Sequence, residues 1–188
     1  MGAERRLLLA AALLALVVGA TLLSFWVATR NFAIADPRRS PRTGEVLEMA
    51  AVEGEESRAM LARYFASESN RAMFGLLGPL QLAGCAGALL LARGAARGRA
   101  RARVVRGLLT GCFALSIALA PLVPMMIAKG RAIDFVSRAG GNPPAVKSFL
   151  LWHGLYMAGD ALLLAGAVAL IPLLAGMTGG TTIAGGRA

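Results

Sequence analysis

Two residues that could exchange protons stand in the last hydrophobic stretch of the chain, FLLWHGLYMAGDALLLAGAVAL. His153 is the only histidine, and Asp160 is an acid inside an apolar run. They are seven residues apart, so they share one face of a helix, and Tyr156 lies between them on a neighbouring line. This polar stripe is a candidate site for a proton or a small ligand.

Helical rise places Asp160 near the middle of a membrane span. With Leu150 at the start of the span, a rise of about 1.5 Å per residue puts the carboxyl roughly 15 Å deep. A charged carboxylate at that depth costs about 2.5–3.5 kcal/mol on insertion scales. We therefore expect Asp160 to be protonated, paired or in contact with water, and neutral where no cation is near.

Uncharged polar residues of other spans reach the same level. Gln81 lies ten residues into the second span, and Thr21 and Ser116 come within about one helical turn of that depth. A hydrogen bond between Gln81 and Asp160 has two open interpretations. It is either a structural link between helices or part of a site for a proton or substrate.

A second polar cluster, above Gln81 and Asp160, is predicted at the outer ends of the spans and comprises Arg30, Glu68, Asn70, Arg71 and His153. Asn70 and Gln81 are eleven residues apart, so they share a helix face. Anchoring of span ends by arginines and aromatic residues is the alternative explanation for this cluster. The complete set of candidate ligand-binding residues is His153, Tyr156, Asp160, Gln81, Arg71, Asn70, Glu68 and Arg30.

Hydropathy predicts the fold that positions these residues. Hydrophobic residues make up 57% of the 188, more apolar surface than a soluble domain of this length would bury. A bilayer core of about 30 Å needs about 20 helical residues, and four windows reach that length. The predicted fold is all-α, an integral membrane antiparallel four-helix bundle in a single domain of residues 1–188, with spans at 7–29, 72–92, 107–128 and 148–174.

The connections between the spans predict the orientation. The second connection holds six arginines in fourteen residues and no acid, which places it in the cytoplasm beside Arg5 and Arg6. The predicted location is the cell membrane. Both termini then lie on its cytoplasmic side, and the connection at 30–71 is extracytoplasmic. The first span is expected to be retained, although a basic head before an apolar run is also typical of a signal peptide.

The long outer connection is predicted to contain an additional amphipathic helix. Its first part carries Pro37 and Pro41 and is expected to be irregular. The segment from residue 45 to 71 has an acidic start and apolar side chains at helical spacing, and it either caps the bundle or continues into the second span. The alternative is a solvated connector.

Small residues predict which spans pack closely. The second span carries Gly75, Gly78, Gly84 and Gly87, and the fourth carries Gly154, Ala158, Ala161 and Ala165. Because small side chains let helix backbones approach, we expect these two spans to form a tight pair. Pro121 and Pro124 are expected to loosen the outer half of the third span.

The composition argues against several kinds of site and partner. One histidine and two separated cysteines favour neither a metal site nor a bound cofactor. The net charge of +10 lies between the spans, where anionic lipid headgroups are a nearer partner than nucleic acid. One histidine and one acid could perform acid–base chemistry, but without a nucleophile motif an enzyme is the weaker interpretation.

The start of the second span, NRAMFGLLGPLQL, and the start of the fourth, FLLWHG, resemble those of the uncharacterised transmembrane-protein-205-like membrane family. The resemblance implies four spans and places Phe149 and His153 on the phenylalanine–x–x–x–histidine pattern near the last one. It implies no biochemical activity.

Two functions therefore remain open from the sequence. One is proton-linked binding or transport of a small ligand through the polar stripe of the fourth span. The other is a structural or assembly subunit, without a ligand of its own, whose partner is another membrane protein or a second copy of the chain.

Overall fold

Helices form most of the part of the chain that the structure describes. This computed structural model describes residues 1–36, 39–98, 101–136 and 143–178, and no strand occurs in those ranges. The prediction of an all-helical protein is confirmed for them. The helices are α1 (Ala3–Ala35), α2 (Pro41–Met49), α3 (Glu55–Ala95), α4 (Ala102–Leu119), α5 (Leu122–Arg131) and α6 (Pro144–Gly176).

Four helical segments have the length and apolar composition of membrane spans: α1, α3, α4 together with α5, and α6. They contain 33, 41, 30 and 33 residues, whereas about 20 suffice to cross a bilayer core. Many of their large apolar side chains are exposed, among them Leu16, Leu23, Leu76, Leu90 and Leu162. The prediction of a multi-pass membrane protein is compatible with these segments.

The outer connection differs from its prediction in two places. Helix α1 continues to Ala35, so the segment expected to be irregular is helical at its start. Pro41 lies in the first turn of α2, where a missing backbone N–H is tolerated. Pro37 lies outside the described residues.

The amphipathic helix predicted from 45 to 71 is divided in two. Helix α2 ends at Met49, and the chain then turns through Ala51 and Gly54, whose φ angles are +53° and +80°. Such left-handed conformations interrupt a helix. Helix α3 starts immediately afterwards and continues without a break through Pro79, so the polar segment and the second span form one helix.

The third span is interrupted where its prolines predict. Helix α4 ends at Leu119 and α5 starts at Leu122. Pro121 lacks the N–H that would continue the hydrogen-bond ladder. The connection before α6 contains Gly140, Gly141 and Asn142, residue types typical of turns. These residues lie outside the described part of the chain, as do residues 179–188 of the glycine-rich carboxyl-terminal segment.

The chain divides into two compact units. Unit 1 comprises Met1–Thr21, Gly78–Ala120 and Met157–Ala188, and its buried apolar residues include Leu14, Leu109 and Leu163. Unit 2 comprises Leu22–Leu77 and Pro121–Tyr156. Its buried residues include Ala66, Val123, Met126, Ile133 and Val146.

Glycines bring the helices of unit 1 together, but not in the predicted pair. A Cβ at Gly84 would collide with Val17 of α1, and a Cβ at Gly87 would lie 2.9 Å from Leu13 Cδ1. Helix α3 therefore uses these glycines against α1. Helices α3 and α6 do meet, through the hydrogen bond of Gln81 to Asp160, but not through the small residues predicted on α6, because Gly154, Ala158, Ala161 and Ala165 are all exposed.

Helix α6 packs on α4 through two other glycines. A Cβ at Gly159 would lie 2.7 Å from Leu119 Cδ2, and one at Gly166 would lie 2.7 Å from Cys112 Sγ. Helix α6 carries small residues on more than one face, so their spacing alone did not identify the face that packs.

Candidate functional site

A buried polar cluster, formed by Thr21, Gln81 and Asp160, lies in unit 1. Gln81 Nε2 donates one hydrogen bond to Asp160 Oδ1, at 2.6 Å, and another to Thr21 Oγ1, at 3.0 Å. The three residues are 1%, 2% and 0% exposed, respectively. The hydrogen bond expected between Gln81 and Asp160 is therefore present, whereas a ligand-binding role remains a prediction.

Glycine packing positions Thr21 in this cluster. Going along α1, Leu13, Val17 and Thr21 are spaced by one helical turn and lie on one face. Leu13 lies against Gly87 and Val17 against Gly84. The next turn brings Thr21 to Gln81. The sequence predicted Thr21 only within about one helical turn of the depth of Gln81.

One oxygen of the buried acid has no partner. Asp160 Oδ2 is inaccessible to solvent and accepts no hydrogen bond from any described residue. No cation of the described residues forms an ion pair with Asp160 either. An unsatisfied buried polar atom costs about 1–3 kcal/mol, so the carboxyl of Asp160 is held in this position at an energetic cost.

Ser116 does not complete the cluster. Its hydroxyl is buried and donates to the backbone carbonyl of Phe113, at 2.8 Å. Cys85 and Cys112 are buried free thiols. Among the described residues no group of three or more His, Cys, Asp or Glu side chains could hold a metal ion.

A network of ion pairs in unit 2 contains two of the predicted outer residues. Arg71 Nη1 donates to Glu68 Oε1 at 2.6 Å and to Asp134 Oδ2 at 2.8 Å, and Nη2 donates to Asp134 Oδ1. Arg131 reaches Glu68 as well, at 3.3 Å. The side chains of Arg71 and Asp134 are only 11% and 6% exposed, so this pair is largely desolvated.

The charges of this network perturb the titration of Glu68, which lies outside the apolar part of α3. Hydrogen bonds from Arg131 and from Arg71 lower the pKa of its carboxyl below the ordinary value. A carboxyl with a lowered pKa stabilises the folded state fully above its ordinary pKa. That contribution is lost as the pH falls through the lowered pKa.

Asp134 was missed by sequence reasoning, although a signal existed. It is the only acid in the third connection, KGRAIDFVSRAGGNPPAVK, where all other charges are positive. An isolated acid among cations is a natural partner for an arginine at the end of a neighbouring span. Its position next to Arg71 depends on how α5 packs, which the sequence does not reveal.

Asn70 pairs with a residue that was not predicted. Asn31 Nδ2 donates to Asn70 Oδ1 at 2.7 Å and to Ser69 Oγ at 3.1 Å. Asn70 is 5% exposed, and its own Nδ2 has no partner among the described residues. Arg30 is exposed and takes part in none of the side-chain hydrogen bonds or ion pairs found in the described ranges.

The two outer members of the predicted stripe lie in unit 2. His153 is half-buried, and its ring stacks on Phe149 with centroids 5.5 Å apart. Tyr156 is 1% exposed and meets Phe74 edge-on, with centroids 6.5 Å apart. Asp160 belongs to unit 1, so the residues of the stripe divide between the two units.

Comparison with known proteins provides no relative. The chain matches no protein-family model, no curated protein and no solved structure.

Proposed function

We propose that this chain is a multi-pass membrane protein that binds a proton, and a small ligand linked to it, at the cluster of Thr21, Gln81 and Asp160. The observation that carries the proposal is the buried Oδ2 of Asp160, which has no partner in the described part of the chain. Acids at mid-depth in a membrane are costly, and they typically mark proton or substrate pathways.

The membrane arrangement in this proposal is a single domain of four spans with alternating directions. The contacts of unit 1 support it. Leu13 of α1 meets Gly87 of α3, and Val17 meets Gly84. Contact residues therefore follow one another in opposite order along the two helices, as expected for an antiparallel pair. The apolar side chains exposed on the candidate spans would face lipid, where they need no further cover.

The proposed orientation places both termini on the cytoplasmic side of the cell's inner membrane. Its basis is the density of arginines in the second connection, between α3 and α4. Positive side chains close to span ends are retained on the cytoplasmic side. The lipid bilayer is then a partner of the protein: acyl chains contact its apolar surface, and anionic headgroups contact these arginines.

In the proposed mechanism Gln81 holds the carboxyl and leaves one oxygen available. The Gln81 amide donates to Oδ1, so that oxygen is oriented in either protonation state. When Asp160 is neutral, its proton resides on Oδ2. Entry of a cation or a hydrogen-bond donor at Oδ2 releases that proton, which couples ligand binding to proton movement.

Replacement of Asp160 by Asn tests the proposal, because the amide keeps the shape but exchanges no proton. Purified protein is placed in liposomes that contain a pH-sensitive dye, and a potassium diffusion potential drives proton entry. We expect the wild type to acidify the lumen and Asp160→Asn to lower the rate at least about tenfold, the loss typical of an essential proton-transfer group.

Glu45→Gln is the matched control, since Glu45 is an exposed acid of α2 and lies outside the cluster. It should acidify the lumen at the wild-type rate. Equal rates for Asp160→Asn and the wild type would refute the proton role, as would a wild type no faster than empty liposomes. The yields of folded wild type and Asp160→Asn are compared as well, because equal yields exclude misfolding as the cause of slower proton entry.

A structural or assembly role is the second candidate, and the saturated amide of Gln81 favours it. Both hydrogens of Gln81 Nε2 already bond to other helices, as expected for a link that only locks them together. This role predicts that Asp160→Asn has no effect. It also predicts that Ala158→Leu, on an exposed part of α6, disrupts association with a partner chain or a second copy.

Membership of the transmembrane-protein-205-like family is a further proposal. It is supported by the stacked pair Phe149 and His153 at the predicted pattern near the start of α6. The proposal includes no enzymatic activity, no cofactor and no nucleic acid partner.

A further inference from the structure

A small cavity in unit 2 is lined by one cationic side chain, Arg63, that forms no ion pair within the described ranges. The cavity measures about 260 Å³ and lies beside α3, whose residues Arg63, Ser67 and Arg71 line it. They are spaced by four residues and therefore present one helix face to the cavity. Asp134 provides the opposing negative charge.

The charges of the lining do not cancel. Two arginines and one aspartate line the cavity, which makes +2 − 1 = +1. Asp134 is held by both terminal nitrogens of Arg71, so it is not available to Arg63. Arg63 donates through Nε to the carbonyl of Ala59, at 3.1 Å, and forms no ion pair within the described ranges.

Gly130 keeps Arg71 in this position. A Cβ at residue 130 would lie 3.2 Å from Arg71 Nη2 and 3.5 Å from Phe149 Cε2. The absence of a side chain therefore leaves room for the guanidinium of Arg71 next to α5. Arg71 and Asp134 form a fixed wall of the cavity, and Arg63 is the cation that remains for a ligand.

The rest of the lining is apolar and partly aromatic. Phe32, Ile133 and Phe149 face the cavity. Ligand pockets usually measure about 300–1,000 Å³ and combine apolar walls with a few polar groups. A cavity just below that range suits a small molecule with one anionic end and a short apolar or aromatic body.

A neighbouring cavity fits an anion less well. It measures about 820 Å³ and is also lined by Phe32 and Arg63. Its other charges are Asp36, Glu48, Glu55 and Arg58, so three acids oppose two arginines. An anion is attracted to the smaller cavity, where positive charge is in excess.

We propose that the smaller cavity binds a small organic monoanion. Its carboxylate accepts hydrogen bonds from the Arg63 guanidinium and the Ser67 hydroxyl, and its apolar body packs against Phe32 and Phe149. Arginine and carboxylate match in geometry and charge. The anion is either a free acid or the carboxyl end of a fatty acid, because both offer the same group.

Calorimetric titration of the full chain in nanodiscs tests the proposal, with sodium benzoate as the free acid and oleate as the fatty acid. We expect benzoate to bind and Arg63→Gln to weaken binding about tenfold or more, the usual effect of losing a charge-assisted hydrogen bond. Benzamide, which has the same shape without the charge, should not bind detectably.

Arg58→Gln is the matched control. Arg58 lies on the same helix but lines only the larger cavity and pairs with Glu48, so benzoate affinity should stay at the wild-type value. Asp160→Asn should also leave it unchanged, which separates this site from the proton site of unit 1. If Arg63→Gln fails to fold, Ser67→Leu replaces it, since a leucine fills the cavity and should abolish binding.

Each result decides between the possibilities. Binding of oleate alone, with loss in Arg63→Gln, assigns the cavity to fatty-acid carboxyl groups. Equal binding of benzoate and benzamide would overturn the proposal, and so would affinity that is independent of Arg63. Absence of binding by both acids would overturn it as well.

Discussion

At the scale of single residues, the amide of Gln81 fixes one oxygen of the Asp160 carboxyl. It occupies Oδ1 and leaves Oδ2 without a partner among the described residues. Depth counting along two helices was sufficient to predict this contact, because residues at equal depth on neighbouring spans have little choice of other polar partners. Asn31 and Asp134 were not predicted, since their roles depend on side chains that meet across helices.

Loss of the Gln81 side chain should destabilise the protein. Gln81→Leu removes the hydrogen bond to Asp160 and leaves a buried carboxyl unsatisfied, which costs about 1–3 kcal/mol. We expect a lower melting temperature for Gln81→Leu in nanodiscs, measured by circular dichroism. The double variant Gln81→Leu with Asp160→Leu should recover much of the loss, because paired apolar replacements remove both unsatisfied groups. A double variant that is no more stable than Gln81→Leu would contradict this account.

At the scale of elements, glycines and prolines decide how the helices break and meet. Proline explains the division of the third span, and Gly54 explains the end of the turn before α3. Both effects are local, but only the break at Pro121 was predicted; the turn at Gly54 was missed, because residues 45 to 71 were expected to form one helix. The choice of packing face is not local: α6 uses Gly159 and Gly166, whereas the small residues predicted to pack are exposed.

The close packing of α1 on α3 predicts different effects for two glycines of the same helix. A methyl group at Gly84 collides with Val17, whereas one at Gly75 meets nothing within 4 Å. Gly84→Ala should therefore lower the melting temperature, and Gly75→Ala should leave it unchanged or raise it, because alanine favours a helix by about 1 kcal/mol. The two variants are compared by the same thermal scan.

The proposed cause is the collision with Val17, and a second substitution isolates it. Val17→Ala in the Gly84→Ala background removes the colliding methyl groups and should restore part of the stability. Equal melting temperatures for Gly84→Ala and Gly75→Ala would show that α1 and α3 do not pack through Gly84.

At the scale of the whole molecule, charge and hydropathy determine the proposed insertion. The four apolar segments are long and apolar enough to cross a membrane. The arginines of the second connection favour the cytoplasm, and the long first connection with α2 then lies outside. This part of the proposal uses composition near the span ends and depends on no side-chain contact.

Labelling of engineered cysteines tests the orientation. In a variant with Cys85→Ala and Cys112→Ala, Glu45→Cys and Arg97→Cys are introduced one at a time at exposed positions. A membrane-impermeant maleimide added to intact cells should label the thiol at position 45 and spare the one at 97, which reacts only after permeabilisation. The reverse pattern would invert the topology.

The sequence by itself predicted the all-helical character, the four apolar segments, the break at Pro121 and the hydrogen bond of Gln81 to Asp160. These follow from local propensity, hydropathy and depth, which are properties of short segments. Only the tertiary structure decided that Thr21 of α1 accepts a hydrogen bond from Gln81 and that Asp134 pairs with Arg71. The same is true of the position of Arg63 in the lining of a cavity. Those features depend on which helix faces meet, and side-chain packing chooses among faces that look equivalent in the sequence.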